Sequence, residues 1–450
     1  MIDTFFAFLR YSLRGKGNIS NVVANMDWQE LYSFAFKQAI LGLCFDGIER
    51  LGKEYPEELK QNPIGRELLM TWMGAAQQIR RQNVKVNGVA AKLYSKFRED
   101  GLRCCILKGQ GNALMYPNPY SRTPGDIDVW IDASRERIME YAQKKFELED
   151  DIRLQHLETS LDGVPVELHF FPCSMNNPIY HARLQKWFRR NADLQCSHIV
   201  GLPDGAGDIA IPTTAFNVIY QLTHLYHHFF DEGIGMRQII DYFLVVNDFS
   251  KNAFLNNDLS NPSVSLSKVS STAFPKPLSP QGTGDVTALR CSEPLRSKDG
   301  GASKPSPNCA GWDRLDAIED MSSASTVSSS ASTALVVVQR ELKYLGLWKF
   351  ARAVMYVLHK ALGLPEEKMI APMDEKRGKL LLAEILNGGN FGRHFTKYGH
   401  FTQQGMAKKY FLKIWRNMHF VRYYPAEALS EPTGYAPATV FIDDLQPKQV

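Results

Sequence analysis

The sequence predicts an α+β fold in which a small mixed β-sheet is flanked by N-terminal and C-terminal helical regions. Three observations support this prediction: helical periodicity in the first hundred residues, a group of short strand-like runs between residues 101 and 200, and renewed helical periodicity from residue 201. A chain of 450 residues is too long for one ordinary core. We therefore expect two or three structural units.

Helical periodicity dominates both flanks of the predicted sheet. Apolar residues recur at helical spacing from residue 28 to 51 and from about 67 to 98, which predicts an N-terminal helical region over residues 1–100. The same spacing predicts a helical region at 201–250 and a C-terminal one at 336–450, with individual helices at 213–247, 336–362, 375–387 and 406–420.

Strand signals are concentrated between residues 101 and 200, where we predict an α/β core. The run RCCILKG (103–109) reads as a short buried strand, and DIDVWID (126–132) alternates apolar and acidic residues with the period of a strand. A helix is predicted at 134–146. The runs IRLQHLE and VPVELHFFP are joined by Asp162-Gly163, a turn signal that predicts a hairpin.

Residues 251–335 differ in composition from the rest of the chain. They are rich in Ser, Pro, Thr and Gly, and they include the run SSASTVSSSAST. Such a segment has too few apolar residues to offset the entropy of ordering its backbone. We predict a low-complexity, disordered insertion between two helices.

Charge and composition restrict the classes of partner. A net charge of +4, from 52 basic and 48 acidic residues, argues against nucleic acid or an anionic membrane as partner. No apolar run reaches the length of a membrane span, and Asp3 and Arg10 interrupt the apolar opening segment, so no secretory signal is expected. Seven cysteines in so long a chain suggest reduced thiols. A cytoplasmic location is expected.

Three acidic residues are the candidate catalytic and metal-binding groups. Asp126 and Asp128 are separated by one residue on a predicted strand, so both side chains point to the same face. Glu167 lies between two apolar residues on the second arm of the hairpin and would hold a second ion or accept a proton from an acceptor hydroxyl. An Asp-x-Asp pair alone arises often by chance. The ordered set of a glycine turn, this pair and a later acid is more specific.

The ordered set resembles the nucleotidyltransferase-fold superfamily, the polymerase-beta-like group. LKGQGNALMYP and SRTPGDIDVWI look like the bacterial nucleotidyltransferase family that has an LKG turn and a PGDID strand. The similarity covers about residues 27–250. It implies Mg²⁺-dependent transfer of a nucleoside monophosphate from a nucleoside triphosphate, with Mn²⁺ as an alternative ion and with Asp126 and Asp128 as metal ligands. This chain has Gly109-Gln110 where the superfamily usually has Gly-Ser or Gly-Gly.

The resemblance also suggests candidate residues for binding the triphosphate. Lys108 can reach a phosphate as a point charge, and Arg122 can hold one with two parallel hydrogen bonds. The turn residues Gly109, Gln110 and Gly111 would let backbone N–H groups approach a phosphate. Each of these residues also has an ordinary interpretation, as a solvated loop cation or as part of a strand-to-helix turn.

Several other polar residues have two open interpretations. His169 shares a strand face with Glu167 and can touch substrate or serve a structural role. Arg237 and Asp241, which with His224 match a pattern of the resembling family, can pair along a helix or line a pocket that the helix closes. A helical spacing that would suit a metal pair relates His224, His227 and His228. No further Cys or His completes a zinc site with them. The aromatic and basic segment 408–424 is expected to pack rather than bind nucleic acid.

The sequence therefore predicts an enzyme that transfers a nucleotide to an unknown acceptor, which can be a small molecule, a protein or a saccharide. Two alternatives stay open. One is a noncatalytic binding or antitoxin-like protein that keeps the fold. The other is a glycosyltransferase that uses Asp-x-Asp, which is disfavoured because mostly helix precedes this motif.

Overall fold

Helices make up most of the computed structural model, which describes residues 1–15, 19–152, 154–258, 329–394 and 414–430. Residues 1–258 and 330–450 cluster as one unit and residues 259–329 as a second, which lies almost wholly outside the described residues. In chain order the described helices are α1 (Ile2–Arg14), α2 (Ser20–Ala24), α3 (Trp28–Lys37), α4 (Leu41–Glu54), α5 (Pro56–Gln61), α6 (Arg66–Glu99), α7 (Gly109–Ala113), α8 (Arg135–Lys145), α9 (Pro178–Ser197), α10 (Thr214–Asp231), α11 (Met236–Asp258), α12 (Ser329–Tyr344), α13 (Trp348–Leu362), α14 (Glu375–Gly388), α15 (residues 414–420) and α16 (Pro425–Ala428).

In the described part of the chain, seven strands form two sheets. They are β1 (Cys104–Leu107), β2 (Ile127–Ile131), β3 (Leu148–Ile152), β4 (His156–Leu161), β5 (Val164–His169), β6 (Ile199–Gly201) and β7 (Asp208–Ala210). The larger sheet has the order β1-β2-β5-β4-β3, in which only the β2–β5 pair is parallel. The predicted α+β fold with a small mixed sheet is confirmed.

The β4–β5 hairpin fixes the register of the acidic strands. Its turn residues Asp162 and Gly163 have φ angles of 51° and 70°, as a tight two-residue hairpin turn requires. Because β5 then pairs with β2, Glu167 lies directly opposite Asp128. Two carboxylates far apart in the sequence are thereby brought to neighbouring strands.

The two faces of the larger sheet pack against different helices. On one face Ile127, Val129 and Ile131 join a core with the second half of α6 and with α8. On the other face Trp130 stacks on Phe216 of α10, with 6.0 Å between the ring centroids. The acidic side chains of β2 and β5 share this second face, so α10 lies next to them.

Arginine side chains tie the N-terminal and C-terminal helices together. Arg14 of α1 donates to the carbonyls of Leu362 and Gly363 at 3.0 and 2.9 Å, where α13 ends. Arg416 of α15 donates to the carbonyls of Phe229 and Glu232 at 2.9 and 3.0 Å, where α10 ends. At the C-terminal end of each of these two helices, a guanidinium donates to backbone carbonyls that have no partner within the helix.

Three of the long helical patterns are interrupted. The pattern at 28–51 forms α3 and α4, which are separated by Ala39 in a left-handed conformation with φ of 55°. The pattern at 213–247 forms α10 and α11, because Gly233 and Gly235 lie too close to the segment 389–392 to carry a side chain. The pattern at 336–362 forms α12 and α13. Periodicity could not reveal these breaks, since each pair of helices buries similar apolar faces.

Some elements were not predicted, namely α1, α9 and the small β6–β7 sheet. Of the predicted insertion, residues 251–258 continue α11 and residues 329–335 belong to α12, while 259–328 lie outside the described residues. Within the described ranges, no helix is long and apolar enough to cross a membrane. The division into domains stays a prediction.

Candidate functional site

A narrow pocket lies between one end of the acidic strands and the helices α10 and α11. We call the side chains of Lys108, Asp126, Asp128 and Glu167 the sheet edge, and those of Gln221, His224, Arg237 and Asp241 the helical wall. All but Glu167 line the pocket. Its free volume is about 500 Å³ with the open mouth included.

Asp128 is the most strongly compensated acid of the sheet edge. It is buried, and its Oδ1 lies 2.8 Å from Lys108 Nζ and 3.1 Å from His169 Nε2. Burial alone would raise its pKa, but the charge of Lys108 and the hydrogen bond from His169 outweigh burial and hold the pKa of Asp128 well below the usual range. Asp128 is therefore a carboxylate in this structure.

Asp126 is exposed at the mouth of the pocket and forms no salt bridge with any described residue. The surrounding protein atoms and the negative charges of Asp128 and Glu167 raise its pKa to about 6. A cation next to Asp126 would relieve this repulsion.

Glu167 lies beside Asp128 but behind the pocket lining. Its Oε2 is 3.1 Å from His169 Nε2 and 3.4 Å from His156 Nδ1. Burial favours the protonated form, yet the hydrogen bond from His169 lowers the pKa of Glu167 to about 2. The structure thus places Glu167 next to Asp128, with His169 in contact with both, and Asp126 near enough for both negative charges to raise its pKa. Among the described residues, the three acids do not form a group whose ligand atoms all lie within 4.8 Å of one another. At so low a pKa, Glu167 is a weak proton acceptor.

Lys108 reaches the sheet edge through a strained turn. It has φ of 51° and ψ of −119°, which is a sparsely populated conformation for a residue with a side chain. Its Nζ contacts Asp128 and donates to His224 Nε2 at 3.2 Å. Burial opposes the charge of Lys108, but Asp128, Asp126 and Glu167 together raise its pKa. The next residue, Gly109, lines the pocket with φ of 28°.

The structure places Gln110 and Gly111 away from the pocket. Gln110 is buried and its amide donates to Asn87 Oδ1 of α6. A side chain at Gly111 would lie 3.1 Å from Ile211, so this glycine allows close packing. Gln110 and Gly111 thus hold α7 in place, and the predicted contact of these two residues with a nucleotide stays a prediction.

Arg122 lines the pocket, and one edge of its guanidinium is already bound. Its Nε and Nη2 donate to the two oxygens of Asp241 at 3.0 and 2.8 Å, and both side chains are buried. Asp241 Oδ1 also accepts a hydrogen bond from Tyr116 at 2.7 Å. Of the two interpretations of Arg237 and Asp241, the structure shows both residues lining the pocket, with Asp241 paired to Arg122. The predicted contact of Arg122 with a phosphate stays a prediction.

Arg237 is the least compensated cation of the pocket. Only 9% of the residue is exposed, and its Nη1 donates to the carbonyl of Thr123 at 3.2 Å. Nε has no hydrogen-bond partner among the described residues, and Arg237 forms no salt bridge with them. Burial and the neighbouring Arg122 lower its pKa. An anion in the pocket would compensate this charge.

The histidines of α10 do not form a metal cluster in the described structure. His227 Nε2 contacts Asp231 at 3.0 Å, whereas His224 contacts Lys108. Burial and the charge of Lys108 hold the pKa of His224 well below the usual range, so its neutral imidazole accepts the lysine hydrogen bond. The expectation that these residues bind no zinc stays a prediction.

A family model described as "Uncharacterised nucleotidyltransferase" matches residues 24–260, which is more than half of the chain. The chain belongs to this nucleotidyltransferase family. The matched range contains the sheet edge and the helical wall.

Other comparisons add little. An antigenic nucleotidyltransferase-like protein from Paracoccidioides brasiliensis is 17% identical in a match that covers 36% of this chain and 75% of that chain, with a TM-score of 0.25. At that score the likeness supports no conclusion about this nucleotidyltransferase-family chain. No curated protein matches it.

Two residues of the site had not been identified from the sequence. Phe391 lines the pocket from outside the family match, with its ring centroid 5.4 Å from the Arg237 guanidinium and 5.1 Å from the His228 ring. His156 lies opposite His169 in the hairpin. The hairpin register could have revealed His156, because the turn at Asp162 fixes which residues face each other. No sequence signal marks Phe391.

Proposed function

We propose that this chain is a metal-dependent nucleotidyltransferase that moves a nucleoside monophosphate from a nucleoside triphosphate to an acceptor. One observation carries the proposal. Among the charged side chains that line the pocket, Lys108 pairs with Asp128 and Arg122 with Asp241, whereas Asp126 and Arg237 pair with no described residue. The pocket thus has one carboxylate and one guanidinium without a partner of opposite charge among the described residues. A bound cation would compensate the carboxylate, and a bound phosphate would compensate the guanidinium.

The donor atoms of the sheet edge fit a divalent cation. Asp126 and Asp128 present carboxylate oxygens from one strand, and Mg²⁺ commonly uses one or two carboxylates together with water and substrate phosphates. Mn²⁺ fits the same oxygens and also accepts the nearby imidazole of His169. Such an ion, when bound, would neutralise phosphate charge and orient the reacting oxygen.

The residues of the pocket support distinct roles in this reaction. Arg237 would bind phosphate oxygens with its unpaired Nε, since a guanidinium donates in a fixed fork. Lys108, held by Asp128 and His224, would add positive charge beside the phosphates. His169 keeps Asp128 and Glu167 in place through its Nε2. We leave Gln110, Gly111 and Arg122 out of the proposed binding set.

The narrow pocket supports a particular orientation of the nucleotide. The charged side chains that would hold an ion and a phosphate line it, and its mouth is open. The phosphates and ions would therefore lie against Asp126, Asp128 and Arg237, and the ribose and base would extend away from these side chains. The acceptor stays undefined, and a small molecule, a protein or a saccharide are all compatible with an open mouth.

The test is a transfer assay with purified full-length chain, Mg²⁺ or Mn²⁺ and each α-labelled nucleoside triphosphate in turn. We expect pyrophosphate release and label transfer that fall roughly a hundredfold or more in Asp126→Asn and Asp128→Asn, because even the outer partners of metal ligands cost 10- to 100-fold. The matched control is Asp132→Asn, at the far end of the same strand, where the carboxylate pairs with Arg103 outside the pocket.

Three results would contradict the proposal. Equal activity in Asp126→Asn and in the control would show that the sheet edge is not the catalytic site. Nucleotide binding without any transfer would favour a noncatalytic or antitoxin-like protein. Label transfer from a nucleotide sugar, with none from the triphosphates, would favour a glycosyltransferase.

A further inference from the structure

Two imidazoles and one carboxylate form a buried cluster behind the pocket. His156 of β4 and His169 and Glu167 of β5 each place a potential ligand atom within 4.8 Å of the other two. We propose that this cluster is a binding site for a transition-metal ion such as Zn²⁺. The site shares Glu167 with the proposed function but does not require nucleotide transfer.

The distances suit one tetrahedral ion. Ligand atoms about 2.1 Å from zinc lie about 3.4 Å from one another. Glu167 Oε2 lies 3.4 Å from His156 Nδ1 and 3.1 Å from His169 Nε2. Two of the three edges thus already have about the length that such a site requires, and the third, between the two imidazole nitrogens, is at most 4.8 Å.

The outer nitrogen of each ring has a polar neighbour. His156 Nε2 lies 3.5 Å from Glu158 Oε1, and His169 Nδ1 lies 3.3 Å from the side-chain amide of Gln155. Gln155 is itself held by the carbonyl of Pro172 and the hydroxyl of Ser174. Metal-binding histidines usually donate the N–H that faces away from the ion to an acceptor, as Nε2 of His156 can to the Glu158 carboxylate. The Gln155 amide instead donates to Nδ1 of His169, so it holds that ring in place without supplying an acceptor.

The donor chemistry selects the class of ion. Two imidazoles and one carboxylate suit Zn²⁺, Mn²⁺ or Fe²⁺, whereas Mg²⁺ and Ca²⁺ prefer oxygen ligands. The ion would displace the proton with which His169 Nε2 donates to Asp128 and Glu167. Three protein ligands also leave a fourth position for water or a phosphate oxygen, as in catalytic zinc sites. Asp128 Oδ1, 3.1 Å from His169 Nε2, lies next to the cluster, so a bound ion would sit close to the proposed nucleotide site.

The experiment measures metal content in the full-length chain after chelator treatment and dialysis against Zn²⁺. We expect His156→Gln and His169→Gln to bind one equivalent less than the unmodified chain. His419→Gln, which changes an exposed histidine of α15, should bind as much as the unmodified chain. With Co²⁺ in place of Zn²⁺, a visible absorption band should appear in the unmodified chain and disappear in His156→Gln.

Circular dichroism would check that each variant is folded. Should His156→Gln fail to fold, Glu158→Gln leaves all three ligands in place and is expected to weaken Zn²⁺ binding about 10- to 100-fold. Equal zinc content in His156→Gln and the unmodified chain would overturn the proposal, and so would unchanged affinity in Glu158→Gln. Loss of transfer in Asp126→Asn with zinc retained would separate this site from the nucleotide site.

Discussion

The sheet edge and the helical wall differ in how their charges are compensated. At the sheet edge, Asp128 contacts both Lys108 and His169, and Glu167 contacts His169. On the helical wall, Asp241 is taken up by Arg122, and Arg237 keeps only a backbone carbonyl as hydrogen-bond partner. The two arginines that line the pocket thus differ in charge compensation. Arg122, which is paired with Asp241, stabilises the fold, whereas Arg237, which has no ion-pair partner among the described residues, is available to an anion.

The largest effect on this comparison is expected from Arg122→Gln. This change leaves Asp241 buried without its cation, and breaking a buried pair by removing one partner costs about 3–5 kcal/mol. Chemical denaturation should show a free energy of unfolding lower by that amount. A loss below about 1 kcal/mol would mean that Asp241 has another cationic partner. Arg122 and Arg237 would then not differ in how their charges are compensated.

Arg237→Gln should give the opposite profile. The free energy of unfolding should change little or rise, because an uncompensated buried charge is removed. Affinity for a nucleoside triphosphate should fall by about 1.5–3 kcal/mol, or roughly 10- to 150-fold, as for a hydrogen bond to a charged group. Isothermal titration calorimetry measures this, with the exposed Arg137→Gln as control. Unchanged affinity beside a large loss of stability would reverse the assignment of the two arginines.

A carboxylate far from the sheet edge extends the comparison. Glu427 is buried and accepts hydrogen bonds from the backbone N–H groups of Asn176 and Asn177, but burial outweighs them and raises its pKa to about 7. The folded state then binds a proton that the unfolded state releases above its own lower pKa. Stability from Glu427 is therefore present at low pH and lost as the pH rises through about 7.

Between pH 8 and pH 6 the Glu427 proton should add about 1 kcal/mol to the free energy of unfolding. In Glu427→Gln this contribution should vanish, which denaturation at both pH values would show. An unchanged pH dependence in the variant would mean that backbone N–H groups alone keep Glu427 charged. The difference between acids with and without a cationic partner would then not hold.

The smallest expected effect concerns the ring of Phe391. A guanidinium near an aromatic ring gains about 0.5–1 kcal/mol at exposed sites, so Phe391→Ala should raise the KM for the triphosphate about two- to fivefold. Phe391→Leu keeps an apolar cover but lacks the aromatic face. Equal KM values in the alanine variant and the unmodified chain would show that the segment after α14 does not contribute to the pocket.

Sequence reasoning predicted the sheet edge better than the helical wall because the two depend on different ranges of contact. Alternation along β2 is a local pattern, and the hairpin turn at Asp162-Gly163 sets where Glu167 lies. The partner of Arg122 is 119 residues away, and nothing near either residue marks the pair. Helical spacing allowed an i, i+4 pair of Arg237 with Asp241 and could not distinguish it from two residues that line a pocket.

Gln110 illustrates a second limit of sequence reasoning. Glycine turns that bind phosphate and glycine turns that pack against a helix share the same local signal. The buried contact of Gln110 with Asn87 of α6 distinguishes them, and only the folded chain shows it.

The most direct measurement is an experimental structure of the full-length chain with Mg²⁺ and a non-hydrolysable triphosphate of the nucleoside that the transfer assay selects. We expect an ion on Asp126 and Asp128, a phosphate oxygen on the Arg237 guanidinium, and Arg122 still bound to Asp241. A triphosphate bound elsewhere, or a pocket that holds neither ion nor phosphate at saturating nucleotide, would contradict the account.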